Sequence, residues 1–190
     1  MSTRSLDLLC IGLFFVASAR ADLQFTPRTA EYELDGIKFK HLVFSDGGEK
    51  DITYSPPSGW DYSGTAVRLT LRPQNKSHAE ATIFEVPLSQ PGSFDDAATK
   101  KLVGEVLSSV PSGSTNVQLV SQEKNPVMIE GKETFLITIT YRFYGENYSR
   151  SVLFLNRRKE QVRFQLTCPQ ADFNELQRAF LGSQFSWQNL

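Results

Sequence analysis

Cysteine and histidine are scarce in this chain, with two of each among 190 residues. So few soft ligands leave little material for a zinc cluster, and no metal or other cofactor is expected. Neither sign of charge dominates. Twenty Lys and Arg stand against 21 Asp and Glu, which excludes a chain built around a strongly basic nucleic-acid footprint. Long apolar runs are missing after the first twenty or so residues, so no later segment offers the roughly 20 apolar residues that span a bilayer. Glycine-rich phosphate loops are missing too: Asp46-Gly47-Gly48 has neither the spacing nor the lysine of a P-loop. What the chain does have is apolar and aromatic side chains, 40% and 12% of its residues. That is enough for a real core in one ordinary domain.

The opening reads as an address label. Arg4 precedes an apolar run over residues 8–19, the length of a secretory signal's apolar region and too short to cross a membrane. Ala17-Ser18-Ala19 and Ala19-Arg20-Ala21 both have the A-x-A cleavage form. Cleavage is expected after Ala21 rather than after Ala19, where the neighbouring Arg20 is tolerated less well. A buried core helix is the competing reading, but the run lacks polar positions at helical spacing. The expected organisation is a signal peptide over 1–21 and a single domain over 22–190, secreted or periplasmic. Cleavage removes Arg4, Asp7, Cys10 and Arg20, leaving 18 basic and 20 acidic side chains. Cys168 is then the lone cysteine, so no intramolecular disulfide can form and the core alone must stabilise the fold.

Alternation predicts strands through the first half, with Asp35-Gly36 as a hairpin turn between two of them. Val67, Leu69 and Leu71 alternate with Arg68, Thr70 and Arg72, and another strand covers residues 79–86. Ser93 is expected to cap a helix in which Phe94, Ala98, Leu102, Val106 and Val110 recur every four residues. Asp95 and Asp96 then fall in its first turn, where the helix dipole favours them. A meander of strands follows over residues 116–122, 133–144, 148–155 and 162–168. Pro169 suits the start of a second helix, striped by Phe173, Leu176, Ala179 and Phe180. The expected fold is α+β: an antiparallel sheet of about 6–8 strands flanked by two main helices.

Two segments resemble PsbP-like domains. Ile52 to Trp60 (ITYSPPSGW) is similar to their strand, proline and glycine-tryptophan opening. Asp172 through Trp187 is similar to their terminal helix and the serine-phenylalanine segment after it. The resemblance spans roughly residues 30–188. It implies an α/β/α sandwich and a superfamily of mostly non-enzymatic binding, assembly or adaptor proteins, including photosystem II extrinsic subunits and periplasmic lipoproteins. No functional motif matches residue by residue, and the chain lacks a lipoprotein cysteine and a plastid transit peptide.

Arg68, Thr70, Arg72, Thr138, Thr140, Arg142, Arg163, Gln165 and Thr167 all fall on the polar phase of their strands. On one shared face they would offer arginine forks among hydroxyls, suited to carboxylate or phosphate. A solvated face is the plainer reading. Trp60, Tyr62 and Trp187 form either a packed cluster or an exposed aromatic patch. Arg157-Arg158-Lys159 reads as a solubilising hairpin tip. Cys168 shares a phase with Val162, Phe164 and Leu166, which predicts a buried thiol rather than a nucleophile. Asn75 and Asn147 head glycosylation sequons that matter only in a eukaryotic host. The expected function is an exported, non-catalytic binding or assembly domain for a protein partner or small anionic ligand. The alternative is a small secreted hydrolase with a polar cleft near His41 or His78, although no serine has a nucleophile-elbow context.

Overall fold

A computed structural model of the chain describes residues 23–34, 37–47, 50–157 and 160–190. The expected signal segment and its cleavage site lie outside the described residues, as do Asp35-Gly36 and Arg158-Lys159.

The strands are β1 (Leu23–Leu34), β2 (Ile37–Asp46), β3 (Ile52–Tyr54), β4 (Trp60–Gly64), β5 (Arg68–Pro73) and β6 (Glu80–Pro87). Helix α1 (Asp96–Ser108) follows. Then come β7 (Thr115–Lys124), β8 (Thr134–Phe143), β9 (Glu146–Asn156) and β10 (Glu160–Pro169), helix α2 (Phe173–Ser183) and a short β11 (Gln188–Asn189). Seven strands form the main antiparallel sheet, in the order β4-β5-β6-β10-β9-β8-β7. The expected count therefore holds for the main sheet, and the class is α+β. The first three strands do not join it. They pair with β11 in a second sheet, β1-β2-β3-β11. Strand β4 is not apparent in the sequence because only Trp60 of its five side chains is buried, so nothing alternates.

Leu34 of β1 pairs with Ile37 of β2 in the antiparallel register of the small sheet. At α1 the cap is Asp95 rather than Ser93. The Asp95 carboxylate accepts from the Ala98 amide at 2.9 Å, and the Ser93 hydroxyl donates to Asp95 instead. A carboxylate serves an N-terminus better because it also meets the helix dipole.

Both faces of the main sheet carry a core, but from different elements. On one side Ile83, Phe164, Leu166 and Cys168 pack against Phe25, Phe44 and Tyr54 of the small sheet and Leu176 and Phe180 of α2. The sheets meet so closely that a Cβ at Gly64 would collide with the carbonyl of Phe25. On the other side Phe135, Ile137, Ile139, Val152 and Phe154 lie beneath Phe94, Leu102 and Val106 of the α1 region. Helix α1 packs over the β7–β8 end of that face. On β5, β6 and β10 the same face is largely polar, with Phe84 and Val86 of β6 as apolar exceptions.

Candidate functional site

Register shows which polar residues share that face. Arg163 lies opposite Phe84, which lies opposite Arg68. Gln165 lies opposite Thr82, which lies opposite Thr70. Arg68, Thr70, Arg72, Arg163, Gln165 and Thr167 are thus brought together. Arg142, Thr138 and Thr140 are not. Ile137 lies opposite Val152, which lies opposite Gln165, so the intervening Thr138 and Arg142 project from the other face. The reason is physical: an alternating strand has one apolar phase, but which side of the sheet that phase meets depends on register. In β8 it meets α1, whereas in β10 it meets α2 and the small sheet.

The arginines of the polar half-face are largely engaged by their neighbours. Arg72 donates from Nε and Nη2 to Glu80 Oε2 at 3.1 and 2.6 Å. Arg163 donates to Gln161 Oε1 at 3.0 Å and to Glu105 Oε2 of α1 at 2.9 Å, with its guanidinium over the Phe154 ring. Arg68 lies over the Phe84 ring, 5.6 Å from its centre. Arg142 donates to the Gly145 carbonyl in the β8–β9 turn. Stitching the sheet to α1 and closing a turn occupy charges that the sequence offers for a ligand.

The residue that sequence reasoning missed is Arg150 of β9. Its phase is that of Val152 and Phe154, so a charge stands where apolar side chains belong. That misplacement was the available signal. Arg150 is buried, and its Nε donates to the Thr167 hydroxyl at 3.0 Å. Its Nη1 donates to the carbonyl and hydroxyl oxygens of Ser109, at 2.8 and 2.9 Å, just past the C-terminus of α1. A cation there meets the negative end of the helix dipole. The guanidinium lies 5.5 Å from the centre of the Tyr141 ring, and Tyr141 stacks on Tyr148.

Arg150 lines an open pocket of about 280 Å³ together with Thr82, Gln165, Thr167, Glu80, His78 and the two tyrosines. The pocket combines a guanidinium, four hydroxyls and a carboxamide, and its one carboxylate, Glu80, is already paired with Arg72. Desolvation raises the Tyr141 hydroxyl above its ordinary titration range, opposed by the charge of Arg150, so it stays a neutral donor at pH 7. Such a set favours an acidic group: charge-assisted bonds to carboxylate are about twice as strong as neutral ones.

The remaining sequence candidates sit elsewhere. Trp187 is buried among Phe25, Phe44, Tyr54 and Phe164, and Trp60 stacks on Phe180 at 6.1 Å. They are core residues, not an exposed patch; only Tyr62 of that trio is exposed, with its hydroxyl 3.3 Å from that of Thr29. Arg157 is no solubilising tip, since its side chain is 8% exposed and pairs with Asp46. His41 is on β2 of the small sheet, whereas His78 is exposed on the rim of the Arg150 pocket, so the two do not converge. Cys168 is buried, and desolvation, reinforced by Asp172, pushes its thiol up to about 12. Among the described residues no helix is long and apolar enough to cross a membrane.

This fold has solved counterparts. The solution structure of cyanobacterial PsbP (CyanoP) from Synechocystis sp. PCC 6803 matches with a TM-score of 0.52 over 90% of this chain and 94% of that one, at 12% identity. The fold is PsbP-like. A Pseudomonas aeruginosa protein of unknown function, PA94, matches at TM-score 0.43 and 16% identity over 85% of this chain and 97% of its own. No family model and no curated protein matches the sequence. At these identities the PsbP likeness is one of fold alone.

Proposed function

We propose that this chain is an exported, non-catalytic binding domain that takes an acidic group of its partner into the Arg150 pocket. One observation carries the reading: a buried arginine, tied to Thr167 and Ser109, lines an open pocket beside Thr82 and Gln165. A charge so placed is costly unless it is paired, and its two bonds to Ser109 and one to Thr167 hold it ready rather than neutralise it. The leader-like opening supports export, and the PsbP-like fold is one whose resemblance implied binding or assembly roles. Glu80, the acid nearest to hand in the pocket, is held by Arg72, so the arrangement favours positioning a ligand over proton transfer.

The test is an amide-resolved NMR titration of the chain starting at Asp22 with N-acetylglutamate amide, a single side-chain carboxylate. Saturable shifts at Thr82, Arg150, Gln165 and Thr167, lost in Arg150→Gln, are expected. Shifts scattered over the small sheet, or unchanged in the variant, would remove the proposal.

A further inference from the structure

The Arg150 pocket continues past its own rim. His78 lines it and also lines a second, wider opening of about 570 Å³. The strands join the two into one groove. On β9, Arg150 and Tyr148 border the first opening and Glu146 the second. On β10, Thr167 borders the first and Pro169 the second. Each set steps along its strand by two residues, so its side chains share a face. The Tyr148 hydroxyl donates to Glu146 Oε2 at 3.1 Å and so links the two openings.

The two ends of the groove carry opposite charge. Arg150 is the cation at one end. Of the acids nearby, Glu80 is paired with Arg72, and Asp172, next to Ala171 of the second opening, is paired with Lys76. Glu146 is exposed, and among the described residues its carboxylate accepts only from the Tyr148 hydroxyl, a neutral donor. The β8–β9 ladder runs without a break from Glu146 to Arg150. Four residues of regular strand place these two anchor points about 14 Å apart. A free amino acid, with both charges on one carbon, cannot reach both. An extended chain has the same rise, so its residues i and i+4 match that span.

We propose that the groove takes an extended peptide segment of the partner that carries an acid and, four residues away, a base: the acid meets Arg150 and the base meets Glu146. The inference rests on the Arg150 reading and adds the class of partner to it. The residue midway along the segment passes His78, which borders both openings. Charge complementarity at two separated points selects a polypeptide over a small acid, and it fixes the spacing of the charges that the partner must present.

The experiment titrates four peptides at low salt: acetyl-Glu-Gly-Ala-Gly-Lys amide, the reverse order acetyl-Lys-Gly-Ala-Gly-Glu amide, and the same two with glutamine in place of lysine. The receivers are the chain starting at Asp22 and its Glu146→Gln and Arg150→Gln variants. Glu146→Gln keeps an acceptor for the Tyr148 hydroxyl, so the β8–β9 turn holds. In one order, the lysine peptide should bind the parent about twofold to fivefold tighter than its glutamine counterpart, the size of an exposed ion pair. Glu146→Gln should remove that advantage and leave the glutamine peptide's affinity unchanged, and added salt should shrink the advantage in the parent. Equal affinity of lysine and glutamine peptides in both orders, or an advantage that survives in Glu146→Gln, would overturn the proposal and leave the Arg150 pocket standing. Failure of every peptide to bind, or equal binding to the parent and Arg150→Gln, would overturn the Arg150 reading and this one with it.

Discussion

Arg163 of the central strand β10 reaches Glu105 of α1 at 2.9 Å, and this contact ties the helix to the polar half of the sheet. Both side chains are part-exposed, at 20% and 37%, so solvent screens the pair. Arg163→Gln is therefore expected to destabilise the fold by no more than about 1 kcal/mol. Acidic-probe binding at the Arg150 pocket should stay within twofold of the parent. Urea denaturation and probe titration of the same variant check both halves of this expectation.

Trp187 behaves as the keystone of the inter-sheet core. Its ring centre lies 5.1 Å from that of Phe164 and 5.8 Å from that of Phe44, with Phe25 and Tyr54 alongside. Trp187→Ala should cost about 3–5 kcal/mol, since large aromatic truncations leave cavities that neighbours only partly fill. Tyr62→Ala, on an exposed edge, should cost under about 1 kcal/mol. Similar losses in the two variants, measured by chemical denaturation, would contradict the burial described for Trp187.

The Cys168 thiol should be inert while the chain is folded. Its pKa is pushed up to about 12, chiefly by desolvation and then by Asp172, so almost no thiolate exists at pH 8. Labelling by an aromatic disulfide reagent should proceed only as fast as the chain opens, and denaturant should accelerate it. Rapid labelling of the native chain would mean an accessible, activated thiol.

Glu85 gives stability a pH dependence of unusual sign. Its carboxyl is raised from 4.5 to about 8 by burial first and Glu160 second, so the folded state holds a proton that the unfolded chain releases. Stability from this group is full below about pH 4.5 and declines as pH rises towards 8. The chain should therefore lose stability across that window, and Glu85→Gln should flatten the decline. Thermal midpoints taken at half-unit steps from pH 4.5 to 8.5 read the slope directly.

Much of the fold was legible because amphipathic alternation survives in single strands. Val162 to Cys168 announces its buried phase, and the stripe from Phe94 to Val110 announces α1. The division into two sheets was not legible, because pairing partners such as β11 with β3 are set by contacts far apart in sequence. The polar face was half legible. Alternation identified Arg163 and Gln165, but Arg142 fell on the wrong side because phase alone does not carry register. Arg150 escaped because it sits between two serines in the polar first half of a strand that turns apolar only from Val152, so it looks like solvated surface rather than a site. The tip at Arg157 misled for the opposite reason. Arg157-Arg158-Lys159 looks solvated as a run, yet the first arginine turns inward to Asp46 and Glu85.

The most direct check on the account is calorimetric titration of a short peptide ending in glutamate into three proteins: the chain starting at Asp22, its Arg150→Gln variant and its Arg163→Gln variant. Binding to the parent with a loss of about tenfold or more in Arg150→Gln is predicted, as expected when a charged hydrogen-bond partner is removed. Arg163→Gln should bind like the parent. Equal affinity in the parent and Arg150→Gln would contradict the claim that this pocket receives an acidic group.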